Sequence, residues 1–520
     1  MNNKVFFKGA LILIIFNLLG KLFGAIYRIP LAGILGGVGI GQYQLVFPLY
    51  SLILTVSTSG IPVAISKMVA EFNAKKNYTD SKNLLKISIV LLTILSLFGF
   101  LFIITFSKNI AYLQGNSDAY ICYYAIAPAI LFVGVISAFR GYFQGNLNMI
   151  PTALSNFIEQ VFKMIFGLLL SKFLLKYGII FAVFGALVGV SISEFTSFIF
   201  LLIYYVFHHK HRRLVYGKST ISYKNLSKKL IRLSIPITLS GLITPITSIV
   251  DSFLVVNLLM KSGISNVDST CLLGLQSGVV DPLIHLPVVF AISISTVLLP
   301  NLTSLSVENA KDKISEIVKK SIQICLSISI AFIIGYVIFG RQILIFLYEK
   351  SFLNNELFLS TKLLFLSSFN IVFLSLVQVT SGILQGLGSA KYTMKTLLIG
   401  CVIKVVLEVI LVSIKSINIF GVVISAGICF FIIFMLNYVK IKQIVSFNLK
   451  DIYSGVIVQE TIVCIVAFTS NMIFQSYFSE FISMLFAGII TVAIFFVTYY
   501  IFFMAKKNKE IKINNYNKTW

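Results

Sequence analysis

The stretch that most constrains this chain is residues 39–71, a long apolar run interrupted by two prolines and a lysine. About 20 apolar residues in a helix suffice to cross a bilayer. Pro48 and Pro62 each remove a helix hydrogen bond, and Lys67 at membrane depth costs about 2.5–3.5 kcal/mol. A helix that only anchors a protein would carry neither. The stretch therefore predicts a bent membrane helix that lines a wet cavity.

The composition excludes a soluble domain. Of 520 residues, 58% are hydrophobic and only 12% are charged, with a mean hydropathy of +0.96. The first apolar run, 9–35, is too long for a cleavable signal and lacks a small-residue cleavage site. The fold class predicted is all-α, a polytopic membrane protein, with about fourteen spanning segments: 9–35, 42–70, 84–107, 117–142, 152–175, 179–207, 230–260, 270–304, 318–340, 357–386, 393–414, 418–440, 452–475 and 480–504.

The basic residues are distributed unevenly between the two sides of the membrane. If the loops alternate, one side holds 29 of the 42 Lys and Arg residues and the other holds 8. The positive-inside rule then puts both termini and the long loop at 208–232 in the cytoplasm. The net charge of +24 therefore faces anionic membrane lipids, and we expect no nucleic-acid partner.

The chain contains an internal repeat. The sequence Gly-Tyr-Phe-Gln-Gly at 141–145 matches Gly-Ile-Leu-Gln-Gly at 382–386, and a lysine follows each motif at the same distance, Lys163 and Lys404. Paired lobes of this kind are typical of transporters that work by alternating access. The predicted domains are an N-terminal six-helix lobe (1–207), a cytoplasmic linker (208–229), a C-terminal six-helix lobe (230–442), and two additional helices with a basic cytoplasmic tail (443–520).

Proline is concentrated in four corresponding segments, the first two of each lobe. We expect these segments to bend and to form the moving wall of a transporter, although proline is also generally common in membrane helices. The predicted gating prolines are Pro48, Pro62, Pro245, Pro282 and Pro287.

Four cations are candidates for binding an anionic substrate. Lys21 and Arg28 are seven residues apart, so they project from one face of the first helix. Lys67 and Arg140 lie near the ends of their segments, where snorkelling to the interface is an equally good explanation. A cavity lined by cations suits an anionic headgroup, and arginine can hold phosphate oxygens in a bidentate way.

Two further cations have an acid four residues away on the same helix face: Lys163 with Glu159, and Lys404 with Glu408. Such spacing predicts self-neutralising, structural pairs.

The remaining acids in apolar segments include Asp251, Asp281 and Glu194. A cation antiporter needs unpaired carboxylates to exchange protons or sodium, so these acids and the histidine His285 are candidates for ion coupling. The alternative is that the acids are charge partners of the cations and that the histidine is a hydrogen-bonded core residue.

The sequence shows no enzyme motif. The glycine-rich stretch at 33–41 indicates a tight connector between two helices, and the six cysteines stand singly along apolar segments. We therefore expect no catalytic residue, no metal site and no cofactor.

The strings Gly-Ile-Gly-Gln-Tyr-Gln at 39–44, Phe-Pro-Leu-Tyr at 47–50 and Gly-Ile-Pro-Val-Ala-Ile-Ser-Lys at 60–67 resemble the stage V sporulation protein B group. That group belongs to the polysaccharide branch of the multidrug/oligosaccharidyl-lipid/polysaccharide exporter superfamily, and it is related to the murein lipid II flippases. The resemblance implies a V-shaped fold of two lobes and a role in moving a lipid-linked cell-wall precursor for the spore cortex.

The function predicted is a flippase or exporter that moves a polyprenyl-pyrophosphate-linked saccharide across the cytoplasmic membrane of a bacterium by alternating access. It would act as a monomer, coupled to H⁺, Na⁺ or the membrane potential. Two alternatives stay open, a cation-coupled multidrug antiporter and a scaffold of cortex synthesis that transports nothing.

Overall fold

The computed structural model describes residues 3–211, 221–308, 310–349, 351–445 and 450–504, although some side chains inside the helices lie outside this description. These residues are mainly helical and contain no strand, which confirms the all-α class. The helices are α1 (Asn3–Thr58), α2 (Gly60–Ala74), α3 (Tyr78–Leu113), α4 (Tyr120–Gly145), α5 (Ile150–Leu174), α6 (Ile179–His211), α7 (Tyr223–Gly241), α8 (Ile243–Lys261), α9 (Asn266–Gly274), α10 (Asp281–Val307), α11 (Lys311–Tyr348), α12 (Asn354–Ser368), α13 (Asn370–Gly386), α14 (Ala390–Val412), α15 (Phe420–Ile444), α16 (Lys450–Gln475) and α17 (Glu480–Tyr499).

The first helix, α1, is two helices joined at Gly36. This residue has φ 64° and ψ −178°, a conformation that glycine adopts without a Cβ clash. The guanidinium of Arg28 lies 5.8 Å from the ring centroid of Phe47. Nineteen residues of straight helix would separate them by about 28 Å, so the chain must turn back at Gly36. The glycine-rich stretch at 33–41 is thus a connector between two helices, as predicted.

Three of the five predicted gating prolines follow breaks in the helices. Pro62 lies in the first turn of α2, after the break at Ser59. Pro245 is the third residue of α8, and Pro282 is the second residue of α10, which follows a π-helical stretch at Leu275–Val280. Proline is tolerated in a first turn because the backbone donors there have no partner in the helix. Pro48 and Pro287 lie inside the helices α1 and α10, so interruptions are present at three of the five positions, and the gating role stays a prediction.

The lengths and the apolar character of the helices are those of a multi-pass membrane protein. Nine of those in the described ranges are long and apolar enough to cross a membrane, and a tenth span results if α12 and α13, bent by 43°, are counted together. The predicted segments 9–35, 152–175, 230–260 and 393–414 are also helical, but none of them is a separate candidate; only the end of 9–35 falls in one, the candidate that begins at Ile26. These four segments contain charged residues, so their crossing of the membrane stays a prediction.

The chain divides into two compact units, Met1–Val279 with Val412–Ile419, and Val280–Leu411 with Phe420–Trp520. Unit 1 is the first of these and unit 2 the second. These boundaries differ from the predicted lobes, because α7, α8 and α9 pack in unit 1 against α1 and α2. The division into lobes at 208–229 stays a prediction, and residues 212–220 lie outside the described part of the chain.

The repeated glycine motif has the same packing role in each unit. In unit 1, a Cβ at Gly141 of α4 would lie 2.8 Å from the carbonyl oxygen of Pro62 in α2. In unit 2, a Cβ at Gly382 of α13 would collide with the side chain of Ser295 in α10. A side chain at either position would force the helices apart, so both glycines allow close contact between backbones.

The last two helices, α16 and α17, pack against each other and against α11 within unit 2. Their contact is apolar and includes Val463, Ala467 and Ala487. The two helices predicted at 452–475 and 480–504 are thus present as a packed pair.

Candidate functional site

The centre of the candidate site is an ion pair in unit 1. Arg140, near the end of α4, donates from Nη2 to Oε2 of Glu159 on α5 at 2.9 Å. Its Nε donates to Oγ of Ser155 at 3.0 Å, and Nη2 also donates to Oγ of Ser197 on α6 at 3.2 Å. Only 15% of the Arg140 side chain and 16% of the Glu159 side chain are exposed. One guanidinium therefore ties three helices together.

The same arginine forms part of the wall of a cavity of about 160 Å³. Residues of α1, α2, α4 and α5 line this cavity, and most of them are polar. Its lining consists of Thr58, Pro62, Ser137, Arg140, Gln144, Thr152 and Asn156. A polar cavity with a guanidinium in its wall can accept an anionic group, because arginine offers several donors in a fixed geometry.

Two more cations of unit 1 lie against aromatic rings. Nζ of Lys163 is 5.0 Å from the ring centroid of Phe47 and 5.7 Å from that of Tyr27. The guanidinium of Arg28 approaches the Phe47 ring as well, at 5.8 Å. Such contacts contribute about 0.5–2 kcal/mol each. The hairpin at Gly36 makes this arrangement, because it brings Phe47 back beside Arg28.

The second acid of the cluster is Glu194 on α6, which is 3% exposed. It accepts a hydrogen bond from the hydroxyl of Tyr50 at 2.7 Å. Glu159, Glu194 and Arg28 are all near enough to Lys163 to interact with its charge. The predicted role of Glu194 as a charge partner agrees with this position, and its role in ion coupling stays a prediction.

The equivalent positions of the second repeat form a network without charges. Ser381 precedes its glycine motif as Arg140 does, and Thr396 stands eight residues before Lys404 as Ser155 stands before Lys163. In unit 2, Nδ2 of Asn437 donates to Oγ of Ser381 at 3.2 Å, and Thr396 donates to Oδ1 of Asn437 at 2.9 Å. The same helix crossing is therefore charged in one repeat and neutral in the other.

One of the two predicted ion pairs has a different partner in the structure. The spacing of Glu159 and Lys163 predicts a pair on one helix, whereas Glu159 forms its ion pair with Arg140 of another helix. The second predicted pair is present, with Nζ of Lys404 4.0 Å from Oε2 of Glu408 on α14 in unit 2. Spacing along a helix does not show the competing partner that tertiary packing supplies.

The remaining candidate cations are less informative. Lys67 is exposed on α2, and the side chain of Lys21 lies outside the described residues.

Apart from Glu194, the candidates for ion coupling are distant in the sequence from the residues around Arg140. Asp251 is half-buried on α8, and Asp281 is the first residue of α10. His285 is exposed, with Nδ1 2.8 Å from the backbone oxygen of Asp281. No group of three or more His, Cys, Asp or Glu side chains could hold a metal ion in the part of the chain that the structure describes.

Sequence reasoning missed the small polar residues of the site. Ser155 and Ser197 are ordinary residues of membrane helices, and nothing in their neighbourhood marks them. Gln144 is an exception, since it lies inside the repeated glycine motif. Phe47 and Tyr50 belong to the string that carries the family resemblance, so they were visible as a pattern but not as parts of a site.

The fold is shared with solved membrane transporters. The structure of a lipid II flippase MurJ in an inward closed conformation matches with a TM-score of 0.72 at 17% identity, over 95% of this chain and 99% of that one. An inward-facing multidrug resistance transporter of the MATE family matches with a TM-score of 0.65 at 15% identity, over 82% of this chain and 95% of that one. The chain is thus a multi-pass membrane protein with a transporter fold.

Sequence comparison gives the family. Residues 6–306 match the model described as polysaccharide biosynthesis protein, and residues 276–410 match the one described as MatE. The chain belongs to the polysaccharide biosynthesis protein family. It is 31% identical over 441 residues to the uncharacterized membrane protein YabM of Bacillus subtilis, covering 84% of this chain and 80% of that one.

Two relatives from the same organism have more informative names. The lipid II flippase MurJ of Bacillus subtilis is 25% identical over 489 residues, which cover 90% of this chain and 87% of MurJ. Stage V sporulation protein B of Bacillus subtilis is 26% identical over 454 residues, which cover 86% of each protein. The predicted resemblance to the stage V sporulation protein B group is confirmed, and the class is a transporter and not an enzyme.

Proposed function

We propose that this protein moves a lipid-linked anionic saccharide across the cytoplasmic membrane, with both termini in the cytoplasm. The observation that carries the proposal is the cavity of about 160 Å³ in unit 1, whose wall includes Arg140. The similarity to a lipid II flippase supports a substrate in which a polyprenyl chain is joined to a sugar through a pyrophosphate. That linker is an anion that a guanidinium can hold in a bidentate way.

The Arg140–Glu159 pair suggests how such a substrate is held and released. The carboxylate of Glu159 binds the guanidinium of Arg140 at 2.9 Å, and the hydroxyls of Ser155 and Ser197 fix the orientation of that guanidinium. An incoming phosphate competes with the carboxylate for the same donors. Binding therefore exchanges one anion for another, and the site does not have to desolvate a bare cation, which is costly in a membrane.

The experiment is a flipping assay with the purified protein in liposomes. A fluorescent lipid II is placed in both leaflets, and a quencher or an enzyme is added outside. The fraction of inner-leaflet lipid that becomes accessible to it is followed in time. We expect Arg140→Gln to slow flipping at least tenfold, whereas Arg341→Gln, at an exposed arginine of α11, leaves the rate unchanged. Wild-type protein that leaves the rate at that of empty liposomes would exclude a flippase.

A second candidate function is a cation-coupled multidrug antiporter. The match of residues 276–410 to the MatE model and the structural match to a MATE transporter favour it. In that case Glu194 would be the coupling acid, and Glu194→Gln would abolish efflux of a cationic dye such as ethidium. Dye efflux by wild-type protein without lipid flipping would decide for the antiporter.

A further inference from the structure

Glu460 on α16 is a buried acid without a partner. It is the sole charged residue of the stretch 452–475 and is 4% exposed. In the ranges that the structure describes, neither of its carboxyl oxygens has a hydrogen-bond partner, and no cation forms an ion pair with it. The buried Glu194, by contrast, accepts a hydrogen bond from Tyr50. Glu460 is therefore an acid that the transport site of unit 1 does not use and that the packing of unit 2 does not satisfy.

Glu460 belongs to the face of α16 that packs against α11 and α17. Val456, Gln459 and Val463 are fully buried, and their helical spacing puts them on one face with Glu460. Oε1 of Gln459 accepts a hydrogen bond from the hydroxyl of Ser327 on α11 at 3.2 Å. Val463, one turn later, belongs to the apolar contact between α11, α16 and α17. The acid thus lies between a hydrogen-bonded glutamine and an apolar contact.

Among the described residues of α11 and α17, no charged side chain lies at the level of Glu460. The antiparallel helices α16 and α17 bring the rings of Phe474 and Phe486 to 5.7 Å, so the level of Glu460 on α16 corresponds to the end of α17. On α11, the nearest cation before Ser327 is Lys320, seven residues away and about 10 Å along the axis. The titratable side chains around this level are uncharged in their ordinary forms at neutral pH. They are Cys325, Cys464, Tyr499 and Tyr500.

A proton is the ligand that suits this position. An ionised carboxylate without a partner is strongly unfavourable in an apolar contact between membrane helices. A metal cation needs several more oxygen ligands. The oxygen of the neighbouring Gln459 is engaged by Ser327, and its Nε2, which has no partner in the described ranges, is a donor that cannot bind a cation. A proton needs no further ligand, because it converts the carboxylate into a neutral acid.

We infer that Glu460 is a proton-binding site of unit 2, which holds a proton while α16 packs against α11 and α17 and releases it when water reaches this face. Protonation then favours the packed conformation, and a pH gradient can act on the equilibrium between conformations. Glu460 is five residues beyond Gly455, the first residue of a candidate membrane span, and so about 8 Å from that end. With both termini in the cytoplasm, this end faces the cytoplasm and gives the proton a short path.

The inference rests on the proposed function in one respect, because it makes the proton the ion that is coupled to transport. Binding of the proton itself depends only on the surroundings of Glu460 in unit 2. The two parts are therefore tested by different measurements.

The first test is the infrared spectrum of the full-length protein in liposomes at neutral pH. A protonated carboxylic acid without hydrogen bonds has a carbonyl band above the amide I band, and this band shifts when H₂O is exchanged for D₂O. Glu460→Gln keeps the size and neutrality of the protonated acid, so we expect a wild-type size-exclusion profile and loss of the band. Glu480→Gln, at an exposed acid that begins α17, is the matched control and should keep it. A band that Glu460→Gln leaves unchanged overturns the inference.

The second test is flipping of fluorescent lipid II with a pH gradient across the liposome membrane. We expect the gradient to change the rate of the wild type and of Glu480→Gln about fivefold or more, and to leave the rate of Glu460→Gln unchanged. An equal response of the wild type and Glu460→Gln overturns coupling through Glu460, whatever the infrared spectrum shows. If the wild-type protein flips no lipid, the proposed function fails, and the infrared band alone decides whether Glu460 holds a proton.

Discussion

Replacing Arg140 by glutamine tests whether its ion pair holds unit 1 together. The substitution removes the 2.9 Å contact with Glu159 and the bonds to Ser155 and Ser197, so α4, α5 and α6 lose a shared partner. Removing one member of a buried ion pair typically costs about 3–5 kcal/mol, because the other charge stays buried without compensation.

The structure places the expected cost at the lower end of that range. About one sixth of each side chain is exposed, and Lys163, one turn along α5, is near enough to compensate part of the Glu159 charge. We therefore expect Arg140→Gln to lower the free energy of unfolding by about 3 kcal/mol. Glu159→Gln should cost about 1–2 kcal/mol, since the guanidinium keeps both serine hydroxyls and gains an amide oxygen.

The double variant gives the decisive comparison. With both charges removed no unpaired ion remains, so Arg140→Gln with Glu159→Gln should be more stable than Arg140→Gln alone. Stability can be followed as the loss of monodisperse protein on heating in detergent, with Arg341→Gln as a control. A double variant whose loss equals the two single losses added together would show that the two side chains act independently, and it would refute the coupling of Arg140 to Glu159 across α4 and α5.

Three further substitutions probe the surroundings of the site by the same thermal measurement. Gly41→Ala should destabilise the protein by about 1–3 kcal/mol, because any Cβ there collides with the carbonyl oxygen of Thr270, and a wild-type melting curve would contradict this close approach. Gly36→Ala should cost about 1–2 kcal/mol from its positive φ alone, since no neighbouring atom lies within 4 Å, and an unchanged stability would argue against the sharp turn. Tyr50→Phe should cost about 1–3 kcal/mol, because it removes the hydroxyl that donates to the buried Glu194. An unchanged stability would show that this hydrogen bond does not stabilise the protein.

The sequence was sufficient for features that depend on the backbone. Glycines at 141 and 382 in matching strings implied a repeat, and both proved to be points where helices touch closely. Pro62 and Pro282 implied interrupted helices, and each lies in the first turn of a helix. These residues have few backbone options, so their identity restricts the local conformation directly.

The choice of ion-pair partners could not be predicted in the same way. The helical spacing of Glu159 and Lys163 was correct, but a guanidinium from α4 reaches the acid at 2.9 Å. Which cation prevails depends on how α4 crosses α5, and that is a property of tertiary packing. The contact between Lys163 and Phe47 likewise depends on the turn at Gly36, which brings distant residues together.

The neutral network around Asn437 bears on what the ion pair of unit 1 is needed for. In the repeat that carries Ser381 and Thr396, hydroxyl and amide groups alone secure this helix crossing. A crossing of this kind can therefore be built without ions, which are expensive to keep within a membrane. Exchanging the two sets of residues between the repeats would separate what Arg140 and Glu159 do for transport from what they do for packing.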